Sequence, residues 1–114
     1  MQAQGRLEAA QAAFDENLAI FQRLAEQDPS NAAWQRDLAL ACLRIGRIAV
    51  AANLKDLGLP LYEESLRIFA ALVQLAPGFV QWAEDMKIVE AELTALRGTI
   101  ASSRNGAADG VQAP

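Results

Sequence analysis

Histidine is absent from this 114-residue chain, and cysteine occurs once, at Cys42. The first absence removes the commonest general base and the commonest metal ligand. The second rules out an internal disulfide and any zinc site built from Cys and His. Basic residues never cluster: Arg6, Arg23, Arg36, Arg44, Arg47, Lys55, Arg67, Lys87, Arg97 and Arg104 are scattered, so the patch that displaces counterions from a nucleic acid is missing. No apolar run approaches the ~18 residues of a membrane span. The first six residues lack the basic-then-apolar form of a secretion signal. Gly46, Gly58 and Gly78 stand alone, which leaves no Gly-rich phosphate loop. The expectation is a cytoplasmic protein that binds neither nucleic acid nor membrane and carries no metal, no cofactor and no catalytic residue.

What is present points to a folded domain. Apolar residues make up 53% of the chain and charged residues 21%, with a net charge of −4, which argues against low-complexity disorder. Four helical segments follow from spacing. From about Arg6 to Gln27, Ala10, Ala13, Phe14, Leu18, Phe21 and Leu24 recur at steps of three and four, the spacing of one helical face. Asp28-Pro29-Ser30-Asn31 ends that segment and offers a cap to the next. The second helix, about Ala32 to Ala52, has one stripe through Trp34, Leu38, Ala41, Cys42, Ile45, Ala49 and Ala52 and part of a second through Leu40, Leu43 and Val50. Such a helix lies between others. Gly46 in its middle costs ~1 kcal/mol against alanine, a cost that close approach of a neighbouring helix offsets. Asn53 to Leu59 reads as a loop. Pro60 opens a third helix that ends at Leu75 or Ala76, and Pro77-Gly78 precedes a fourth from Val80 to Ile100. Residues 1–101 form one helical domain; 102–114, rich in Ser, Gly and Ala, reads as a disordered tail.

The segment Phe14–Leu38 aligns without a gap on Tyr62–Met86, a spacing of 48 residues, and eight of the 25 positions are identical. They are Glu16/Glu64, Leu18/Leu66, Ile20/Ile68, Phe21/Phe69, Leu24/Leu72, Pro29/Pro77, Trp34/Trp82 and Asp37/Asp85. A period in this range marks stacked repeats that bury apolar faces on one another.

The unit resembles the tetratricopeptide repeat in Trp34 at a helix start, Ile45-Gly46, Ser65 and Phe69 in the second helix, and the closing Pro77. Asp28-Pro29-Ser30-Asn31-Ala32-Ala33-Trp34-Gln35-Arg36-Asp37-Leu38 is similar to a longer bacterial variant of that repeat; the second copy departs from it at Ala76 and Phe79. The resemblance covers roughly residues 3 to 100. It implies an all-α fold, antiparallel hairpins stacked as a short α-solenoid of about four helices. It also implies a non-catalytic protein–protein interaction module that binds a peptide, a helix or another copy of itself. In that family the first helix of each unit lines a concave face, which here gives Leu40, Leu43, Arg47, Val50 and Ala51, with Ile88 and Ala91 from the last helix. The other reading of these residues is that they pack against neighbouring helices.

The repeat register makes the first helix the second half of a unit and the fourth helix the first half of another. Thr94, Glu90 and Gly98 replace Gly46, Cys42 and Val50, so the fourth helix reads as a cap. The Ala9, Ala12 and Ala13 face of the first helix calls for a cover, supplied by a second copy or by further domains. The alternative function is therefore a C-terminal sensing or structural segment of a larger regulatory protein. The acidic neighbours Asp15-Glu16, Glu63-Glu64 and Glu84-Asp85 diverge by about 100° on a helix, which makes them solvated surface rather than a metal site. Cys42 on the apolar stripe reads as a buried, inert thiol, and Trp34 and Trp82 as packing anchors. A helical-bundle enzyme would need an internal polar cluster, and none can be placed.

Overall fold

The computed structural model describes residues 2–112, with side-chain surroundings for residues 5, 6 and 8–102. Four helices follow one another: α1 Gln2–Gln27, α2 Ala32–Ala51, α3 Lys55–Leu75 and α4 Val80–Gln112. No strand occurs among the described residues. The backbone of α4 continues to Gln112, whereas the sequence pattern stopped it near Ile100. The tail expected over 102–114 falls almost entirely on residues whose side chains lie outside the description.

The α1–α2 connection follows its sequence signals. Asn31 caps α2 by accepting from the Trp34 amide at 3.1 Å, which satisfies one of the free amides at a helix start. The α2–α3 connection is shorter than expected. Asn53 takes φ 65°, and the Asn53 and Leu54 amides donate back to the carbonyls of Val50 and Ala49 at 3.0 and 2.8 Å. This is a Schellman closure with Asn in the left-handed position. It reverses the chain at once, so α3 starts at Lys55 and the expected loop from Asn53 to Leu59 is corrected to a tight turn plus a first helical turn. Pro60 lies inside α3 rather than at its start. At the sixth position of α3 it leaves the Asp56 carbonyl without its helical donor.

Contacts give the helix directions. Ser65 Oγ donates to the Ala39 carbonyl at 2.8 Å, while Gly46 faces Tyr62 and Gly58 faces Val50. Residue numbers rise on α3 as they fall on α2, so the pair is antiparallel. Gln35 reaching the Ala25 carbonyl sets α1 against α2 in the same sense. The tryptophan-bearing helices α2 and α4 instead run parallel, bridged by Arg36–Asp85 and Arg47–Glu92.

Small residues let α2 and α3 approach. A Cβ on Gly58 would stand 2.8 Å from Val50 Cγ2, and one on Gly46 would stand 3.2 Å from Tyr62 Cδ2. Gly46 thus admits a neighbouring helix, as its mid-helix position suggested. The core gathers Leu18, Leu38, Cys42, Phe69, Leu72, Val89 and Leu93. A side chain as deeply buried as Phe69 or Leu93 contributes about 1.5–3 kcal/mol through removal from water. The principal extents are 56 × 31 × 17 Å. The short dimension fits two helix layers at the usual 8–10 Å interaxial spacing.

Candidate interaction surface

The residues expected to line a binding face divide between core and surface. Leu43 is 6% exposed and belongs to the core, and Leu40 and Val50 are half-buried against that core. Burial on two sides of α2 absorbs these three into packing. Ala51, Ile88 and Ala91 are exposed. Arg47 is exposed but engaged, as its guanidinium makes a two-point pair with Glu92 of α4, Nε to Oε1 at 2.9 Å. Tyr62 of α3 donates its hydroxyl to the same Oε1 at 3.0 Å.

These three side chains latch α2, α3 and α4 together at one level. The hydrogen bond from Arg47, and then that from Tyr62, holds the Glu92 carboxyl below the usual glutamate range against the opposing effect of burial. Burial first, and then the bond to Glu92, pushes the Tyr62 hydroxyl up. A polar cluster with every member paired in this way fixes helix register. Lower on the same interface, Asp85 Oδ2 is buried without a hydrogen bond and faces Arg36 Nε at 3.5 Å.

Cys42 is buried, and desolvation, reinforced by the nearby Glu64 charge, pushes its thiol up to about 11. It stays protonated at neutral pH and offers no nucleophile. Among the described residues, no group of three His, Cys, Asp or Glu side chains is placed to hold a metal ion, and no helix is long and apolar enough to cross a membrane. Trp82 packs half-buried on the core and stacks tilted on Phe79, ring centroids 4.6 Å apart; Trp34 is half-buried at the start of α2.

An apolar groove lies between α1 and α2. It has a volume of about 220 Å³ and is lined by Ala13, Phe14, Asn17 and Phe21 from α1 and by Ala41, Arg44, Ile45 and Ile48 from α2. Ile48 is 54% exposed on its rim, and Ile20 is 61% exposed on α1. Ala9, Ala12 and Ala13, expected to need a cover, are exposed as well. Arg44 and Asn17 are the polar side chains of the lining. Asn17 Nδ2 donates to the Ala13 carbonyl one turn back at 3.0 Å, so its amide group is held along its own helix. Among the described residues no ion pair involves Arg44.

The sequence pattern leaves the Ala9, Ala12 and Ala13 face of α1 uncovered, and Ala13 lines this groove, but Ile48 falls on neither of the two stripes assigned to α2. Phe14 and Phe21, on the apolar stripe of α1, are half-buried. The available signal was the repeat itself, which aligns each lining residue with one in the second copy. No family model, curated protein or solved structure matches the chain.

Proposed function

We propose that the chain is a non-catalytic protein-interaction module, a short stack of tetratricopeptide-like hairpins that binds a helical segment. One observation carries this reading: Phe14, Phe21, Ile45 and Ile48 form an apolar groove open to solvent between two rigid helices. An amphipathic helix laid into such a groove buries its apolar stripe, with affinity concentrated in a few central contacts. The repeat motif and the antiparallel α1–α2 and α2–α3 hairpins support the tetratricopeptide-like architecture, and the lone buried thiol fits a cytoplasmic setting.

Ile48→Asp tests the proposal. Because Ile48 is more than half exposed, the substitution should leave the circular dichroism spectrum and melting temperature nearly unchanged. It should abolish retention of any polypeptide that the immobilised native chain holds specifically. If every such polypeptide is held equally by the Ile48→Asp chain, the groove is not the binding surface and the proposal fails.

A further inference from the structure

The groove between α1 and α2 is the first-copy counterpart of a groove that is already filled. Adding 48 to its lining residues gives Leu61, Tyr62, Ser65 and Phe69 on α3, and Val89, Glu92, Leu93 and Leu96 on α4. Those residues receive α2. Tyr62 and Leu61 meet Gly46, Ser65 bonds to the Ala39 carbonyl, and Glu92 pairs with Arg47. The contrast in exposure is large: Leu96 is 5% exposed where Ile48 is 54%, and Ser65 is fully buried where Asn17 is exposed.

Resting on the interaction-module reading above, we infer that the α1–α2 groove receives an α2-like helix from another polypeptide, carrying an acidic residue where α2 carries Arg47. The filled groove supplies the template and the charges supply the identity. α2 places Arg36 against Asp85 and Arg47 against Glu92. The counterparts are Asp37, one turn before the lining on α2 and unchanged in sign, and Arg44 in the open groove, reversed. The occupant therefore needs a basic residue facing Asp37 and, eleven positions later, an acid facing Arg44. Eleven residues make about three turns and return to the same face of a helix. Between them, a small residue must stand opposite Asn17, as Ala39 stands opposite Ser65. The glycine requirement persists, because Phe14 keeps the ring carbons of Tyr62 and Ala13 keeps the Cβ of Leu61 that crowd Gly46.

This chain's own helices do not meet the pattern. A second α2 would set Arg47 against Arg44. In α4 the positions matching Ala39 and Arg47 are Lys87 and Ala95, too large in one place and uncharged in the other. Like charges set opposite one another at an interface suppress the wrong partner.

The test uses the full chain and two synthetic peptides with the sequence of α2, residues 32–51, each with Cys42→Ala and one also with Arg47→Glu. Titrated by fluorescence anisotropy, the Arg47→Glu peptide should bind at least tenfold more tightly than the Arg47 peptide. Arg44→Glu in the chain should reverse that order, and Ile48→Asp should abolish binding of both. Equal affinities that disappear with Ile48→Asp overturn the charge-matched occupant while leaving the interaction-module reading intact. Loss of Ile48 dependence for these peptides and for every captured polypeptide removes both. A dimer by light scattering that Ile48→Asp dissociates assigns the groove to a second copy and overturns the inference.

Discussion

Replacing Gly58 by alanine is the sharpest test of how α2 and α3 fit together. The new Cβ would stand 2.8 Å from Val50 Cγ2 and 3.1 Å from the Gly46 carbonyl oxygen. The valine methyl can turn, but the carbonyl belongs to the backbone of a buried helix. Overpacking of this kind costs about 1–3 kcal/mol. Against it stands the helix-propensity gain of alanine over glycine, at most about 1 kcal/mol in a helix interior and less in the first turn of α3, where Gly58 lies. The steric effect wins, and a net loss of about 1–2 kcal/mol is expected. For a domain of this size each kcal/mol moves the melting temperature by about 4 °C, so Gly58→Ala should melt about 4–8 °C below the native chain. Gly98 is the control. It lies in α4 with nothing within 4 Å of a built Cβ, so Gly98→Ala keeps only the propensity gain and should melt about 2–4 °C higher. Thermal denaturation followed by circular dichroism at 222 nm reads both. A Gly58→Ala chain that melts at or above the native temperature refutes the close α2–α3 crossing.

Other outcomes follow from the same contacts. Asn31→Ala removes the side-chain acceptor of the Trp34 amide and should cost about 1 kcal/mol in urea denaturation; an unchanged midpoint would show that the cap is not formed. Cys42, raised in the folded state to about 11, adds stability that is complete below its unfolded value and is lost as pH rises toward 11. The native chain should therefore lose about 2–3 kcal/mol across that alkaline range, and Cys42→Ala should flatten the decline. Glu92, lowered by its bonds to Arg47 and Tyr62, adds stability present above its unfolded value of about 4.3 and lost as pH falls through the lower folded value. A Glu92→Gln chain should show a shallower acid limb in a pH series of urea midpoints, and an identical limb would refute the latch.

Much of the fold was legible because its determinants are local or periodic. The stripe of α4 through Val89, Leu93 and Leu96 became the buried face of that helix, and of the two capping candidates in the sequence, Ser30 and Asn31, it is Asn31 that caps α2. The start of α3 was misread because Pro60 is a strong positional signal on its own. The competing signal, a left-handed Asn53 closing α2, depends on φ, which composition does not announce. Leu43 stands on the expected binding face only through the resemblance, and packing against neighbouring helices is the other reading of it. In the structure α2 is covered from more than one side, so apolar residues on different faces are all dry. The open groove is legible only on its α1 side, where Ala13 belongs to the face that the repeat register leaves uncovered; periodicity alone does not say whether the stripe through Phe14 and Phe21 has found a neighbour.

The two copies resolve that ambiguity when their differences are set beside their burial. Positions that agree, such as Leu18/Leu66, Phe21/Phe69 and Leu24/Leu72, follow the apolar stripe of each hairpin. Positions that disagree mark neighbours that differ between copies. Cys42 and Gly46 are buried against α3, and their counterparts Glu90 and Thr94 are exposed, as solvated groups on the outer side of α4 should be. The change from Glu92 to Arg44 has another character. It exchanges one charge for its opposite at a position whose counterpart already has a charged partner on the adjacent helix. A residue facing only water is under no constraint of sign, but one facing a neighbour is. On the proposed occupancy, the apolar lining around Arg44 gives the incoming helix a surface to bury, and the reversal at Arg44 calls for a reversed charge on that helix.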